Sequence, residues 1–279
     1  MNEPVRNKPN KNNNEIKRIA PQRKRNQIPE EIINNKALNK AIEILPSNYN
    51  FEIHKTIWRI KTDECKVVAL QFPEGLLMYA CVIADILERF AQTKVIIMAD
   101  VTYGACCIDD FTANKIGADL LIHYGHSCLV PVNITTIKVL YVFVEIQFDI
   151  SHIVACIKNN FLCPSSSSPL SSSESSIETR PLRKIAIMGT IQFASAIHTA
   201  ITQLKSICPE ESQEIFCPQA KPLSSGETLG CTSPVLRDDC EAVIFIADGR
   251  FHLESVMIQN PFLASSFYRY DPYSKLLTH

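Results

Sequence analysis

The chain has 279 residues, 46% hydrophobic and 20% charged, which suffices for one or two cored domains and excludes wholesale disorder. Lys plus Arg total 28 against 29 for Asp plus Glu, and a net charge of −1 supplies no global attraction to nucleic acid or an anionic membrane. No apolar run reaches the ~20 residues of a membrane-spanning helix, and the opening MNEPVRNKPNKNNNE has no signal-like apolar stretch, so a cytoplasmic protein is expected.

Residues 1–29 carry Arg6, Lys8, Lys11, Lys17, Arg18, Arg23, Lys24 and Arg25 and few large apolar side chains to offset ordering entropy. They read as a disordered basic arm; at Arg23-Lys24-Arg25 a nuclear signal or RNA contact stays open beside a solvated tail. Ile32, Ile33, Leu38, Ile42 and Leu45 fall near helical spacing, with Pro46 closing that segment. Val67-Val68-Ala69-Leu70 reads as a buried strand. It is followed by the turn Gln71-Phe72-Pro73-Glu74-Gly75 and a helix with Leu76, Ala80, Ile83, Leu87 and Phe90 on one face. Further strands are expected at 95–99, 120–123 and 139–144. Strands this apolar are covered on both faces, as in a parallel α/β sheet. Residues 30–162 therefore form a first α/β domain with an N-terminal helical extension. CPSSSSPLSSSESSIETR, at 163–180, reads as a disordered Ser-rich insertion. The pattern restarts with strands at 185–188, 215–216 and 242–246 and a helix lined by Ala194, Ile197, Ile201 and Leu204, giving a second α/β domain over 181–265.

Eleven cysteines is a high count for a chain with no secretory signal, and most are expected to be buried thiols. Two stand apart because the halves repeat. Gly104-Ala105-Cys106 precedes a helix-compatible stretch and a strand from Ala118 that ends at Gly125. Leu229-Gly230-Cys231 precedes a similar stretch and a strand from Ala242 that ends at Gly249. Cys106 lies 12 residues before Ala118, and Cys231 lies 11 before Ala242. Two copies of one module, each with a cysteine on a loop, suit a shared centre. Soft thiolates select zinc or iron–sulfur clusters, but there is no Cys-x-x-Cys pair for a zinc ribbon. A coincidence of buried loop cysteines stays open, as does a redox or zinc role for other thiols. No nucleophile elbow, phosphate-binding Gly-Lys loop or His-Glu-x-x-His occurs, so hydrolase and nucleotidase readings lack support.

Several longer blocks carry a resemblance. ALQFPEGLLMYACVIADILERF (69–90), ADVTYGACCIDDFTANKIGADLLIHYGHSCLVP (99–131), YVFVEIQFD (141–149), PQAKPLSSGETLGCTSP (218–234), IADGRFHLESVMIQNP (246–261) and YRYDPYSKLL (268–277) are similar to subunit 1 of the diphthamide-synthesis radical enzyme. That resemblance implies three α/β domains around one [4Fe-4S] cluster, each donating a cysteine, with S-adenosyl-L-methionine bound at the open iron. It implies cleavage of the bond from sulfur to the methionine gamma carbon. The resulting 3-amino-3-carboxypropyl radical adds to a histidine of translation elongation factor 2, the first step of diphthamide biosynthesis. It also implies a heterodimer with subunit 2 and small electron-donor proteins. Cys106 and Cys231 match two family ligands; Cys107 and Cys128 are read as packing residues or neighbours of the ligands.

Weaker candidates for the S-adenosylmethionine pocket are Gly75, His126, Gln192, Asp248 and Gly249. Gly75 opens a helix, where an anionic carboxylate or a plain tight turn both fit. Asp248 and Gly249 follow a strand end, where α/β ligand sites collect and capping aspartates also occur. His126 is the counterpart position in the first module, as a substrate contact or a structural hydrogen-bonder. Gln192 stands where the first module has its Pro-Glu-Gly turn. The family's third domain and its cysteine have no counterpart, and no cysteine follows Cys240. Residues 266–279 are accordingly read as the start of a missing third domain and the chain as truncated. The alternative is a non-catalytic paralogue that binds the partner subunit without a cluster.

Overall fold

The computed structural model describes residues 27–100, 107–127, 129–162, 182–207, 213–263 and 265–279. Most of the basic arm, the Ser-rich stretch, Cys106 and Cys128 lie outside the described residues.

The N-terminal extension is α1 (Glu30–Ile33), α2 (Lys36–Ile42), β1 (Tyr49–Asn50) and α3 (Ile53–Thr62). The expected helical segment is split because the Asn35 side chain accepts the Ala37 and Leu38 amides, starting a new helix at that point. The first module is β2 (Val67–Gln71), α4 (Glu74–Leu77), α5 (Ala80–Ala91), β3 (Lys94–Ile97), α6 (Asp110–Lys115), β4 (Leu120–Tyr124) and β5 (Lys138–Val142). A link of β6 (Glu145–Ile146) and α7 (Ser151–Ile157) leads to the second module. That module is β7 (Lys184–Gly189), α8 (Ala194–Ile207), β8 (Glu214–Phe216), β9 (Ala242–Ile246), α9 (Phe251–Gln259), β10 (Phe267–Asp271) and β11 (Leu276–Thr278).

The first sheet runs β3-β2-β4-β5, all parallel. The second runs β8-β7-β9-β10 in parallel and adds β11 antiparallel to β10. Counted within each module, both sheets have the order 2-1-3-4, so the repeat extends to topology. The likeness fails at one point: α6 follows the first cysteine loop, whereas no helix lies between Cys231 and β9. β4 and β9 are buried along their whole length, which explains their unbroken apolar sequences. Ile57, Ile60, Ile83 and Leu87 of α3 and α5 cover the first sheet; Ile197, Ile201 and Leu204 of α8 cover the second. Each fully buried Leu or Ile contributes roughly 1.5–3 kcal/mol.

Within residues 266–279, β10 and β11 belong to the second sheet. Phe267–Tyr270 pair in parallel with Val243–Ile246, and Tyr270 is fully buried in the second core. Phe267 and Tyr270 lie on opposite faces of this strand: Phe267 packs with Val243 and Phe245, and Tyr270 packs with Ile244 and Ile246.

The extension and link also touch both modules. β1 pairs antiparallel with β6, and the Tyr49 ring packs against both large cores. The Tyr49 hydroxyl is 2.7 Å from that of Tyr273.

Candidate functional site

In sheets of this order, the first and third strands diverge into their crossovers at the carboxyl edge, leaving a crevice there. The residues at those ends are Phe72-Pro73-Glu74 and Gly125-His126-Ser127 in the first module. In the second they are Thr190-Ile191-Gln192 and Ala247-Asp248-Gly249. The two edges face each other: the Gln192 side-chain amide donates to the Gly125 carbonyl at 2.6 Å. Leu129 of the first module packs against Leu223 and Leu229 of the second.

The described residues next to each cysteine position are bound at this edge. In the first module the Gln71 amide donates to the Cys107 carbonyl at 3.0 Å. Its Oε1 lies 3.1 Å from His123 Nδ1 and accepts the Asp109 amide at 3.4 Å. Cys107 is exposed, so packing does not account for it. In the second module Gly189 donates to the Gly226 carbonyl at 2.8 Å, and the Thr228 amide donates to Gly189 at 3.1 Å. A Cβ on Gly189 would overlap the Ile246 carbonyl, so only glycine admits this backbone approach. The loop then makes a tight reversal at Leu229–Thr232 that presents Cys231 to solvent. The Thr232 hydroxyl lies 3.8 Å from the Cys231 sulfur, and Gly230 sits directly against the Phe251 ring.

Two pairs of aromatic rings stand near this edge. His123 and His126 have ring centroids 5.8 Å apart, and Phe251 stands edge-on to His252 at 5.5 Å. Burial, with His126 nearby, pushes His123 down to about 3. Burial, with His252 nearby, pushes His126 down to about 4, and burial lowers His252 as well. All three rings are neutral near pH 7. His123 Nε2, His126 Nδ1 and Ser127 Oγ are buried and have no hydrogen-bond partner among the described residues.

The weaker candidates separate. Gln192 and His126 lie at the junction of the modules. Gln192 acts there as a clasp through its bond to Gly125. Asp248 is exposed and near enough to His252 to raise its pKa; its carbonyl accepts Arg269 Nη1 at 3.0 Å. Gly75 has open space where a Cβ would project and lies in a helix of four residues, too short to focus a dipole on an anion. Gly249 is likewise unconstrained. The glycine that the first module needs is Gly125, whose φ of +80°, together with the 2.9 Å that an added Cβ would leave to Pro73 Cγ, excludes a side chain. Gln71, His123 and His252 were not singled out from the sequence. A polar residue ending the apolar run of β2, and a histidine inside fully buried β4, are the signals that point to the first two.

Other thiols suit ligation less well. Burial pushes Cys65, Cys156, Cys217 and Cys240 up, away from the thiolate. Among the described residues no three His, Cys, Asp or Glu side chains group as metal ligands. Cys106 lies outside those residues. Among them, too, no helix is long and apolar enough to cross a membrane.

Comparison with known proteins agrees with this architecture. The family model for diphthamide synthesis proteins matches residues 72–279. This chain belongs to the diphthamide synthesis family. Relatives named 2-(3-amino-3-carboxypropyl)histidine synthase subunit 1 include one from Dictyostelium discoideum, 52% identical over 90% of this chain and 50% of its own length. One from Danio rerio is 52% identical over 93% of this chain and 62% of its own, and one from Schizosaccharomyces pombe is 54% identical over 90% and 54%. The chain thus spans about half the length of the curated relatives it matches. The crystal structure of Dph2 from Pyrococcus horikoshii with 4Fe-4S cluster shares the fold, with a TM-score of 0.62 at 23% identity over 82% of this chain and 60% of that one.

Proposed function

We propose that this chain supplies two of the cysteine ligands, Cys106 and Cys231, of a [4Fe-4S] cluster in the subunit 1 component of 2-(3-amino-3-carboxypropyl)histidine synthase. The observation that carries this reading is the facing of the two carboxyl edges, each with a cysteine-bearing loop tied to its central strand. The donor set fits the group: an exposed thiol at Cys231, with a neighbouring hydroxyl near the sulfur, suits a cluster thiolate whose potential responds to such contacts. When bound, the cluster supplies one electron to cleave S-adenosyl-L-methionine and release the 3-amino-3-carboxypropyl group. The acceptor is a histidine of translation elongation factor 2, and the cytoplasmic subunit 2 partner completes the enzyme. The protein's own part is to hold the two loops and to line the crevice with neutral His126 and His252 and exposed Asp248, groups able to hydrogen-bond an amino acid or ribose. Gly75 and Gly249 add only open backbone.

The test is anaerobic co-expression with the partner subunit, followed by iron analysis and absorbance near ~400 nm. Iron and colour that are lost in Cys231→Ala and in Cys106→Ala support the reading. A stable but iron-free complex refutes it and leaves a docking chain without a cluster.

A further inference from the structure

The two modules solve one mechanical problem in different ways. In each, a cysteine-bearing loop must be held against the last residue of the central strand. The second module does it with backbone alone, Gly189 bonding on both sides to the 226–228 segment. The first module has Gln71 at that place, and its side chain makes the join.

Gln71 is only 3% exposed, and both ends of its amide are engaged. The NH2 donates to the Cys107 carbonyl, and Oε1 lies within bonding distance of the Asp109 amide and His123 Nδ1. A carboxamide oxygen only accepts, so His123 carries its proton on Nδ1 and donates it to Gln71. His123 is itself fully buried at the adjoining register position on β4. The amide is therefore held from behind by His123 and grips the chain in front at two points two residues apart.

We propose that Gln71, oriented by His123, is the positioning residue for the Cys107–Asp109 backbone, and that it sets where the cysteine loop stands relative to the first sheet. This rests on the cluster reading for its purpose, since Cys106 immediately precedes the gripped stretch in sequence. The grip is separable from the fold. The next residues are anchored independently: Asp109 caps α6 by accepting the Thr112 amide at 3.0 Å, and Asp110 accepts the Thr136 amide at 2.6 Å. Loss of Gln71's bonds removes its hold on Cys107 and Asp109 while α6 keeps its own ties.

Three forms of the full chain test this: the unaltered chain, Gln71→Leu, which removes both bonds at similar volume, and Gln71→Glu, which keeps the acceptor and drops the donor. Circular dichroism checks that each variant folds. In the cluster-free chain, hydrogen exchange at the Asp109 amide is expected to speed up by about fivefold in Gln71→Leu and much less in Gln71→Glu, as befits one bond of about 1 kcal/mol. After anaerobic iron and sulfide loading with the partner subunit, iron per chain is expected to fall at least twofold in Gln71→Leu, with Gln71→Glu between it and the unaltered chain. Unchanged Asp109 exchange in a folded Gln71→Leu chain overturns the proposal, and so does full iron loading by that variant. An unaltered chain that takes up no iron refutes the cluster reading instead; the exchange comparison then still decides what Gln71 does.

Discussion

Acidification should weaken this protein well above the pH at which its carboxylates protonate. His123 and His126 sit at about 3 and about 4, against about 6.5 for a histidine in the unfolded chain. Between those values the unfolded state binds more protons, so stability falls as pH falls. At about pH 5 an unfolded imidazole is almost fully charged, whereas both folded ones are neutral. The gap of about 1.5 units below the unfolded value costs about 2 kcal/mol for each ring at about 1.4 kcal/mol per unit. Together they remove about 4 kcal/mol, a large share of the roughly 5–15 kcal/mol of a typical domain. His54 and His252, lowered by burial, act in the same direction. The lowered carboxylates, Asp119 among them, lose their contribution only at more acid pH. Urea unfolding followed by circular dichroism at about pH 7 and about pH 5 measures the change. The control is the double variant His123→Gln, His126→Asn, which starts less stable but should lose far less on acidification. A change below about 1 kcal/mol in the unaltered chain, or the same acid sensitivity in the double variant, refutes the assignment of buried neutral rings.

Further outcomes follow from single sites. Gly189→Ala, which drives a methyl into the Ile246 carbonyl, should cost at least ~2 kcal/mol by urea midpoint. Gly75→Ala, where the space is open, should be neutral or stabilising by up to ~1 kcal/mol. Tyr270→Ala should destabilise the second module by roughly 3–5 kcal/mol, because the ring is fully buried; a loss below ~1 kcal/mol contradicts the place of β10 in that sheet. In alkylation of the native chain followed by mass spectrometry, Cys231 and Cys81 should react well before Cys65 and Cys240, which are 6% and 4% exposed.

The sheets were legible because their strands are buried on both faces and so are written as apolar runs. Val67–Leu70 and Ala242–Ile246 needed only that rule. The near-equal spacings of 12 and 11 residues from cysteine to strand pointed to two copies of one module, and the structure extends that likeness to strand order. What the sequence concealed were places where one side chain overrules a pattern. Asn35 cuts a periodic helical segment by capping its own backbone. YRYD looks too polar for a central sheet, yet Tyr270 buries its ring completely and places its hydroxyl 3.0 Å from His152 Nδ1. At the candidate site, a glycine was expected to matter through a helix terminus at Gly75. Gly125 and Gly189 are constrained instead, because another chain segment passes too close for a Cβ. Such crowding is tertiary and leaves no local mark. Gln71 escaped for a similar reason: a lone glutamine after four apolar residues looks like a strand end, and its partners lie 36 to 52 positions away.

The short pairing of β1 with β6 gives the N-terminal extension a role beyond covering one sheet. Tyr49 lies between the two cores and reaches Tyr273 near the far end of the chain, so residues before the first module brace its angle to the second. The Gln192–Gly125 clasp holds the same pair of modules at their carboxyl edges. A hinge pinned at two such points resists scissoring, and a crevice between duplicated halves keeps its width only while both pins hold.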